Sequence, residues 1–250
     1  MPEGAVRLLG FARRFSTVGF PATRALSRKY RLALEETRFE LLPAAVRVAP
    51  RLLVDVGANA GDWSVGMAML TDARRIIAFE PVAAVFEELQ RRAAAHPVIQ
   101  PVRMALGARN GQIAMHVEAR SQFSSTRSMH SGVRNDQVLE APVRSEVVPL
   151  STLDTQLANE PEIAILKIDV QGAQSEVLEG ARETLQRTRV LLIEVMYRSY
   201  YEAEATFTEL HAQIIQTSPL KLWGISSPAF GSTGRPEWAD AVYVSPALVD

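Results

Sequence analysis

From residue 51 onward, short aliphatic runs alternate with stretches whose apolar residues recur at helical spacing. Leu52–Val56, Arg75–Phe79 and Val98–Val102 read as buried strands, the first ending at Gly57 and the second at Glu80-Pro81. Between them, Trp63 to Leu70 reads as a helix. Val82, Val85, Phe86 and Leu89 then share one face of a second, amphipathic helix. Strand–helix–strand–helix–strand predicts a parallel sheet with helices on both faces.

The pattern loosens in the middle of the chain and then resumes. Ala105-Leu106-Gly107 and Ile113–Val117 flank Arg109-Asn110-Gly111, and Asn-Gly between two strand-like runs predicts a β-hairpin. Residues 119–142 are polar, Ser-rich and aperiodic, as in a functional or disordered loop. Ser145–Leu150 predicts a strand, and Ser151-Thr152-Leu153-Asp154 opens a short helix by a capping pattern. Ile163–Ile168 and Val190–Val195 are further strands, with Val177, Leu178, Ala181 and Leu185 on one face of the helix between them. Phe207, Leu210 and Ile214 mark a last helix before strands at Lys221–Ile225 and Ala241–Val244. The expected architecture is α/β: a Rossmann-like, seven-stranded, mostly parallel sheet with an antiparallel end, N-terminal helices and an extra β-hairpin. Residues 1–49 are expected to form a helical extension, and residues 50–250 the domain that binds the cofactor.

Composition narrows the function classes. The chain has 250 residues, 47% hydrophobic and 22% charged, the balance of a folded chain rather than a disordered or collagenous one. No apolar run approaches the ~18 residues a membrane-spanning helix needs. There is no cysteine, so disulfides, thiolate metal sites and cysteine nucleophiles are excluded, and a cytoplasmic location is expected. The net charge of -1 is unevenly spread. Residues 1–31 carry seven basic side chains against the single acid Glu3, leaving the rest of the chain 20 of the 27 basic and 27 of the 28 acidic residues. A basic arm of this kind packs on the acidic body or makes a weak contact with a membrane surface or a partner. Nucleic acid is not an expected partner, because basic and aromatic residues are not interleaved and the whole is not basic.

The strongest chemical signal is Asp55-Val56-Gly57-Ala58-Asn59-Ala60-Gly61, the turn from the first strand into its helix. Ligands of open α/β sheets bind at the carboxyl ends of strands, and glycine lets the backbone approach them closely. A dinucleotide fingerprint would need glycine at 57, 59 and 62, where this chain has Asn59 and Asp62. The charge of Asp62 also opposes a pyrophosphate at the helix start, so NAD and an oxidoreductase reading are disfavoured. Glu80 ends the second strand, where a carboxylate can accept hydrogen bonds from both hydroxyls of a ribose. A cofactor with a free ribose and no phosphate, S-adenosylmethionine, fits this pair. The competing reading is purely structural, with two glycines turning the chain and Glu80 capping a helix. Asp169, at the mouth of the fourth strand, is placed to orient or deprotonate an acceptor hydroxyl, or else to cap the following helix.

These stretches together are similar to the FkbM family of methyltransferases. The resemblance rests on Asp55–Gly61, Phe79-Glu80-Pro81, Ala105-Leu106-Gly107, Leu166-Lys167-Ile168-Asp169-Val170-Gln171-Gly172 and Val177-Leu178-Glu179-Gly180-Ala181, over roughly residues 50 to 245. It implies a class I methyltransferase sheet and S-adenosylmethionine. It also implies O-methylation of a small-molecule or glycan hydroxyl on a sugar or secondary metabolite. The cofactor site is then expected at Asp55, Gly57, Ala58, Asn59, Gly61, Glu80, Pro81, Ala105, Leu106 and Asp169. Asp169 leads the catalytic candidates, followed by His130 in the polar loop and by Glu194. Gln171 and Gln174 stand where the family usually carries Glu, which removes two charges and weighs against a metal-assisted reaction. No histidine pair has metal-ligand spacing, so no metal ligand is assigned. A non-catalytic, methyltransferase-like binding module is the alternative to an enzyme.

Overall fold

The computed structural model describes residues 33–34, 37–47, 49–117, 144–197, 199, 201 and 203–248. The basic residues 1–31 and the loop at 119–142, with His130, lie outside the described residues.

The main sheet is built as the hydrophobic pattern requires. β1 (Leu52–Val56), β2 (Arg75–Phe79), β3 (Ile99–Val102), β7 (Ile163–Ile168) and β8 (Thr188–Met196) are parallel. β11 (Pro236–Val244) runs antiparallel to β8, and both β9 (Lys221–Ile225) and the two-residue β10 (Ala229–Phe230) pair with its far side. The order is thus β3-β2-β1-β7-β8-β11, with β9 and β10 beyond. All five residues of β1 are buried, as expected for a central strand covered on both faces. β3 forms one edge and carries Pro101, which has no N–H to offer there.

Helices α1 (Asp62–Leu70), α2 (Ala83–Ala93), α3 (Leu153–Gln156), α4 (Gln174–Glu179), α5 (Arg182–Gln186) and α6 (Phe207–Thr217) connect the strands. Among the described residues, two apolar cores cover the faces of the main sheet, and a smaller one gathers Val82, Ala105, Met115, Val148 and Leu150. One gathers Val177, Leu178, Leu185, Leu210 and Ile214 under β7 and β8. The other gathers Trp63, Met67 and Leu89 on the opposite face, together with Phe39, Leu42 and Val46 from the N-terminal segment. Thr206 and Glu209 close a reciprocal capping box at the start of α6, satisfying N–H groups that the helix leaves open.

The extra β unit differs from the expected hairpin. β4 (Ala105–Leu106) and β5 (Gly111–Val117) are not paired with each other; β6 (Arg144–Ser151) lies between them, parallel to β4 and antiparallel to β5. Asn110 serves another purpose than closing a tight turn. Its Oδ1 accepts from Ser151 Oγ at 2.8 Å and from the Thr152 N–H at 3.2 Å, while its Nδ2 donates to Thr155. The side chain therefore ties the β4–β5 connection to the start of α3, and the register of β5 is set by β6.

The helix expected through Val177 and Leu185 is likewise broken, into α4 and α5, at Gly180-Ala181. A Cβ on Gly180 would lie 2.1 Å from the carbonyl oxygen of Gly107, so the elbow can press against the end of β4 only as glycine. Asp154 completes the junction, accepting from the N–H groups of Glu183 and Thr184 at the start of α5. Replacing Gly180 with Ala is expected to cost about 1–3 kcal/mol by overpacking against fixed backbone. In β9, Gly224→Ala meets open space and is expected to be neutral. Urea unfolding of both variants checks the pair, and equal stability of the two would refute the close-approach account.

Candidate active site

The strand order reverses between β1 and β7, since the chain proceeds outward from β1 to β3 on one side and from β7 to β8 on the other. A crevice opens at such a point beyond the carboxyl ends of the strands. Here it is a cavity of about 350 Å³.

Register decides what faces it. Asp55 pairs with Lys167, and Lys167 with Leu192; Glu194 pairs with Asp240. Residues two apart on a strand share a face. Carrying the register two residues toward the carboxyl ends therefore places Gly57, Asp169, Glu194 and Asp240 in one row. Glu80 extends the row over β2, where Phe79 pairs with Val56. Five strands thus deliver one glycine and four acids to the rim of the crevice.

Gly57 holds the row together. Its φ is +78°, and a Cβ would fall 1.8 Å from the Asp169 carbonyl oxygen. Any larger residue would separate the ends of β1 and β7. Asn59 also adopts a left-handed backbone, φ 49°, and its Oδ1 accepts from the Ala60 N–H at 2.7 Å. That turn aims the Asn59 N–H at Glu80 Oε2, 3.0 Å away, while Glu80 Oε1 accepts from the Val82 N–H at 2.9 Å. Glu80 is therefore fixed at the cavity wall. Burial pushes its carboxyl up to about 7, against the two N–H donors that favour ionisation.

Beneath the row sits a buried cation. Lys167 Nζ lies 3.2 Å from Asp55 Oδ1 and 3.4 Å from Asp169 Oδ2. Desolvation alone would lower the Lys167 pKa, but the charge of Asp55 and then that of Asp169 outweigh it and raise it. Asp55 is fully buried and also accepts from Ser64 Oγ at 2.7 Å. At the far end, Arg38 from the N-terminal segment donates Nε to Asp240 Oδ2 at 2.6 Å. Burial raises the Asp240 pKa, and the Arg38 hydrogen bond and charge hold it back. Glu194 is raised well above the ordinary carboxylate range, by desolvation first and then by Asp169 and Asp240. Gln171, itself at φ 51°, reaches between the acids: its Nε2 donates to Asp169 Oδ1 at 3.0 Å and to Glu194 Oε2 at 3.4 Å.

Of the residues expected from the sequence, Gly57, Ala58, Asn59, Glu80, Pro81, Ala105, Leu106, Asp169 and Glu194 line the cavity. Asp55 does not; it lies under the floor as the partner of Lys167. Gly61 does not either: it precedes α1, where a Cβ would meet Leu89 at 2.6 Å. His130 lies outside the described residues. Gln174 is buried at the start of α4, away from the cavity, and its Nε2 has no hydrogen-bond partner among the described residues. The cavity also takes in Gln171, noted in the sequence as a departure from the family's usual Glu, and Arg38, Met115, Lys167, Trp238 and Asp240, none of them singled out as site residues from the sequence. Lys167 carried a signal, a lone cation inside an aliphatic strand. Arg38, Met115, Trp238 and Asp240 depend on long-range pairing. No helix among the described residues is long and apolar enough to cross a membrane.

Comparison with known proteins gives the family and the fold. The model of the methyltransferase FkbM domain matches residues 55–220. "Methyltransferase 1" of Beauveria bassiana is 28% identical over 142 residues, 51% of this chain and 57% of that protein. "2-O-methyltransferase NoeI" of Sinorhizobium fredii is 26% identical over 171 residues, 61% of this chain and 66% of that protein. The chain thus spans only part of the length of the curated relatives it matches. The crystal structure of methyltransferase FkbM from Methylobacillus flagellatus superposes with a TM-score of 0.54 at 17% identity, covering 98% of this chain and 55% of that one, a likeness of fold.

The Asp55–Lys167 pair makes a stability prediction independent of any ligand. Lys167→Met leaves a carboxylate in the core without its cation, and is expected to cost about 3–5 kcal/mol. Adding Asp55→Asn is expected to recover part of that loss. Urea unfolding of the three variants checks the cycle; additive losses would mean that the two groups do not interact.

Proposed function

The chain belongs to the FkbM methyltransferase family, and from that premise we propose that it uses S-adenosylmethionine to methylate a hydroxyl of a sugar, glycan or secondary-metabolite acceptor. The observation that carries the reading is Glu80, a carboxylate fixed by two backbone N–H groups at the wall of the crevice beside the bare Gly57 turn. With one oxygen anchored to each side, its remaining lone pairs are available to the two hydroxyls of a ribose.

The rest of the lining suits the same cofactor. Gly57 and Ala58 leave room for the methionine end, and Met104, Ala105 and Leu106 offer an apolar edge to the adenine. The acids outnumber the cations along the row, which favours a positively charged sulfonium over a phosphate. When bound, the cofactor supplies an electrophilic methyl group. The chain's own part is positioning: Asp169, held by Lys167 and Gln171, orients the acceptor oxygen toward that methyl. The relative named as a 2-O-methyltransferase supports oxygen as the acceptor atom.

A mass-spectrometric screen with labelled cofactor against sugar, glycan, polyketide and peptide acceptors tests the reaction. A methylated oxygen is the expected product. Cofactor binding with no methylated product would favour the non-catalytic binding module instead.

Two further expectations concern Glu80. Glu80→Gln places an amide where both backbone neighbours are donors, so one N–H loses its acceptor. S-adenosylmethionine affinity is expected to fall by about tenfold or more, the equivalent of one lost hydrogen bond to a charged group. Unchanged affinity in titration calorimetry would refute the ribose assignment. The pH dependence has a definite sign. The free site holds its Glu80 proton up to about pH 7, and the ribose hydroxyls need the ionised form. Affinity is therefore full above that pH and falls as pH drops below it, by about tenfold per unit. Calorimetry from about pH 5.5 to about pH 8.5 reads this directly, and the slope should vanish in Glu80→Ala.

A further inference from the structure

Asp169 and Glu194 stand side by side in the row, yet their surroundings give them opposite capacities. Both Asp169 oxygens are engaged: Oδ1 accepts from Gln171 and Oδ2 faces the Lys167 ammonium at 3.4 Å. Such a carboxylate is held in place from both sides. Among the described residues no cation is in direct contact with Glu194. Among the described residues its hydrogen bond comes from Gln171 to Oε2, and no donor reaches Oε1. Gln171 is in turn held from behind. Its Oε1 accepts from the hydroxyl of Tyr201 at 3.2 Å, and Tyr201 is a fully buried ring whose atoms come within 3.0 Å of where a Gly172 Cβ would lie. Tyr201 and the left-handed Gln171-Gly172 turn therefore fix the amide in one orientation, with Nε2 toward the two acids.

We propose that Glu194 is the proton acceptor of the reaction, and that Gln171, steadied by Tyr201, is the positioning residue that gives Glu194 and Asp169 their separate roles. The proposal deepens the O-methyltransferase reading and rests on it. As the acceptor oxygen forms its bond to the methyl carbon, the carbon–sulfur bond breaks and its electron pair stays on sulfur. The hydroxyl proton passes to Oε1 of Glu194, and from there to water once the product leaves. Asp169, fixed by Lys167 and Gln171, holds the hydroxyl in line.

The groups facing Glu194 support this division. Asp169 from the end of β7, Asp240 from β11 and Glu204 ahead of α6 all repel its negative charge, while Lys167 attracts it and Arg38 is engaged by Asp240. Glu194 therefore holds a proton more readily than an ordinary carboxyl, as a general base working near neutrality must. The amide of Gln171 is the one hydrogen-bond donor to the charged form among the described residues, so its removal has a predictable sign.

The first readout needs no acceptor. The side-chain carboxyls of protein labelled with carbon-13 at glutamate are followed by NMR as pH is raised, and the Glu194 signal is identified by its loss in Glu194→Gln. Its midpoint is expected above those of the other glutamates near the surface. Gln171→Asn preserves a residue type that tolerates the left-handed backbone but shortens the arm by one methylene. It is expected to raise the midpoint by about half to one pH unit, the loss of a hydrogen bond to a charged group. Tyr201→Phe is expected to move it the same way by less. A Glu194 midpoint in the ordinary range, or one that Gln171→Asn leaves in place, overturns the proposal; if Gln171→Asn does not fold, the Tyr201→Phe titration decides.

The second readout uses the acceptor returned by the screen. Glu194→Gln is expected to lower kcat by about 10²–10⁴-fold with S-adenosylmethionine affinity unchanged. Gln171→Asn is expected to move the acid limb of the pH–rate profile upward by the same shift seen in the titration. Full turnover in Glu194→Gln overturns the base assignment. A wild-type protein that methylates no acceptor counts instead against the O-methyltransferase reading, and the titration separates that failure from failure of the Gln171–Glu194 assignment.

Discussion

The arrangement of the site depends on one buried ion pair, Lys167 with Asp55. Both groups are drawn from central strands, where a charge without a partner would be costly. The pairing exists only because Asp55 and Lys167 are register partners in adjacent parallel strands. A slip of one residue would turn one of them to the opposite face and leave both charges buried and apart. A buried ion pair adds little net stability over an apolar pair of the same shape, but it penalises every wrong register by several kcal/mol. Once β1 and β7 are locked, Gly57 meets the Asp169 carbonyl and the crevice takes its shape.

The same lock sets the electrostatics of the crevice. Lys167 is shared between a hidden acid and a displayed one, so Asp169 receives only part of its charge. Arg38 is engaged by Asp240. Glu80 and Glu194, at the two sides of the row, are left with backbone or amide donors in place of a cation. Both carboxyls have their proton affinity raised for the same physical reason: desolvation by burial, which the attraction of Lys167 offsets only in part. The two raised carboxyls thus stand on either side of Gly57 and Asp169.

What the sequence made legible was local. Aliphatic runs located β1, β2 and β7 to the residue, because a buried strand has few ways to be written; β9 was placed as closely although its residues are exposed or half-buried. The Gly57 turn and Glu80 were legible because a tight turn and a terminal acid leave marks within one βαβ unit. The Asn110-Gly111 signal misled, since its side chain was recruited by Ser151 and Thr152, 41 and 42 residues away, and β6 took the place of the expected hairpin partner. The helix through Val177 and Leu185 kept its apolar face but broke at Gly180, because contact with Gly107 outranks helical continuity. Asp240 and Trp238 lie on a strand whose neighbour is set by the antiparallel insertion of β11 beside β8, and nothing within several residues of either one marks that pairing.

Arg38 carries this last point furthest. It lies 202 residues from Asp240 in sequence, in a segment that contributes Phe39, Leu42 and Val46 to the core around α1. Gly66 of α1 allows the approach, since a Cβ there would meet Thr37 at 2.7 Å. The backbone of Arg38 is left-handed, φ 49°, an arrangement that an arginine keeps only when its surroundings enforce it. Packing on one face of the sheet therefore delivers a guanidinium to an acid on the last strand. Without that cation, Asp240 would be a desolvated carboxyl beside Glu194, and the two would compete for one proton. With it, the rise that burial imposes on Asp240 is held back, and the charge of Asp240 raises the proton affinity of Glu194. The N-terminal segment thus acts on the Glu194 side of the crevice through the charge of Arg38.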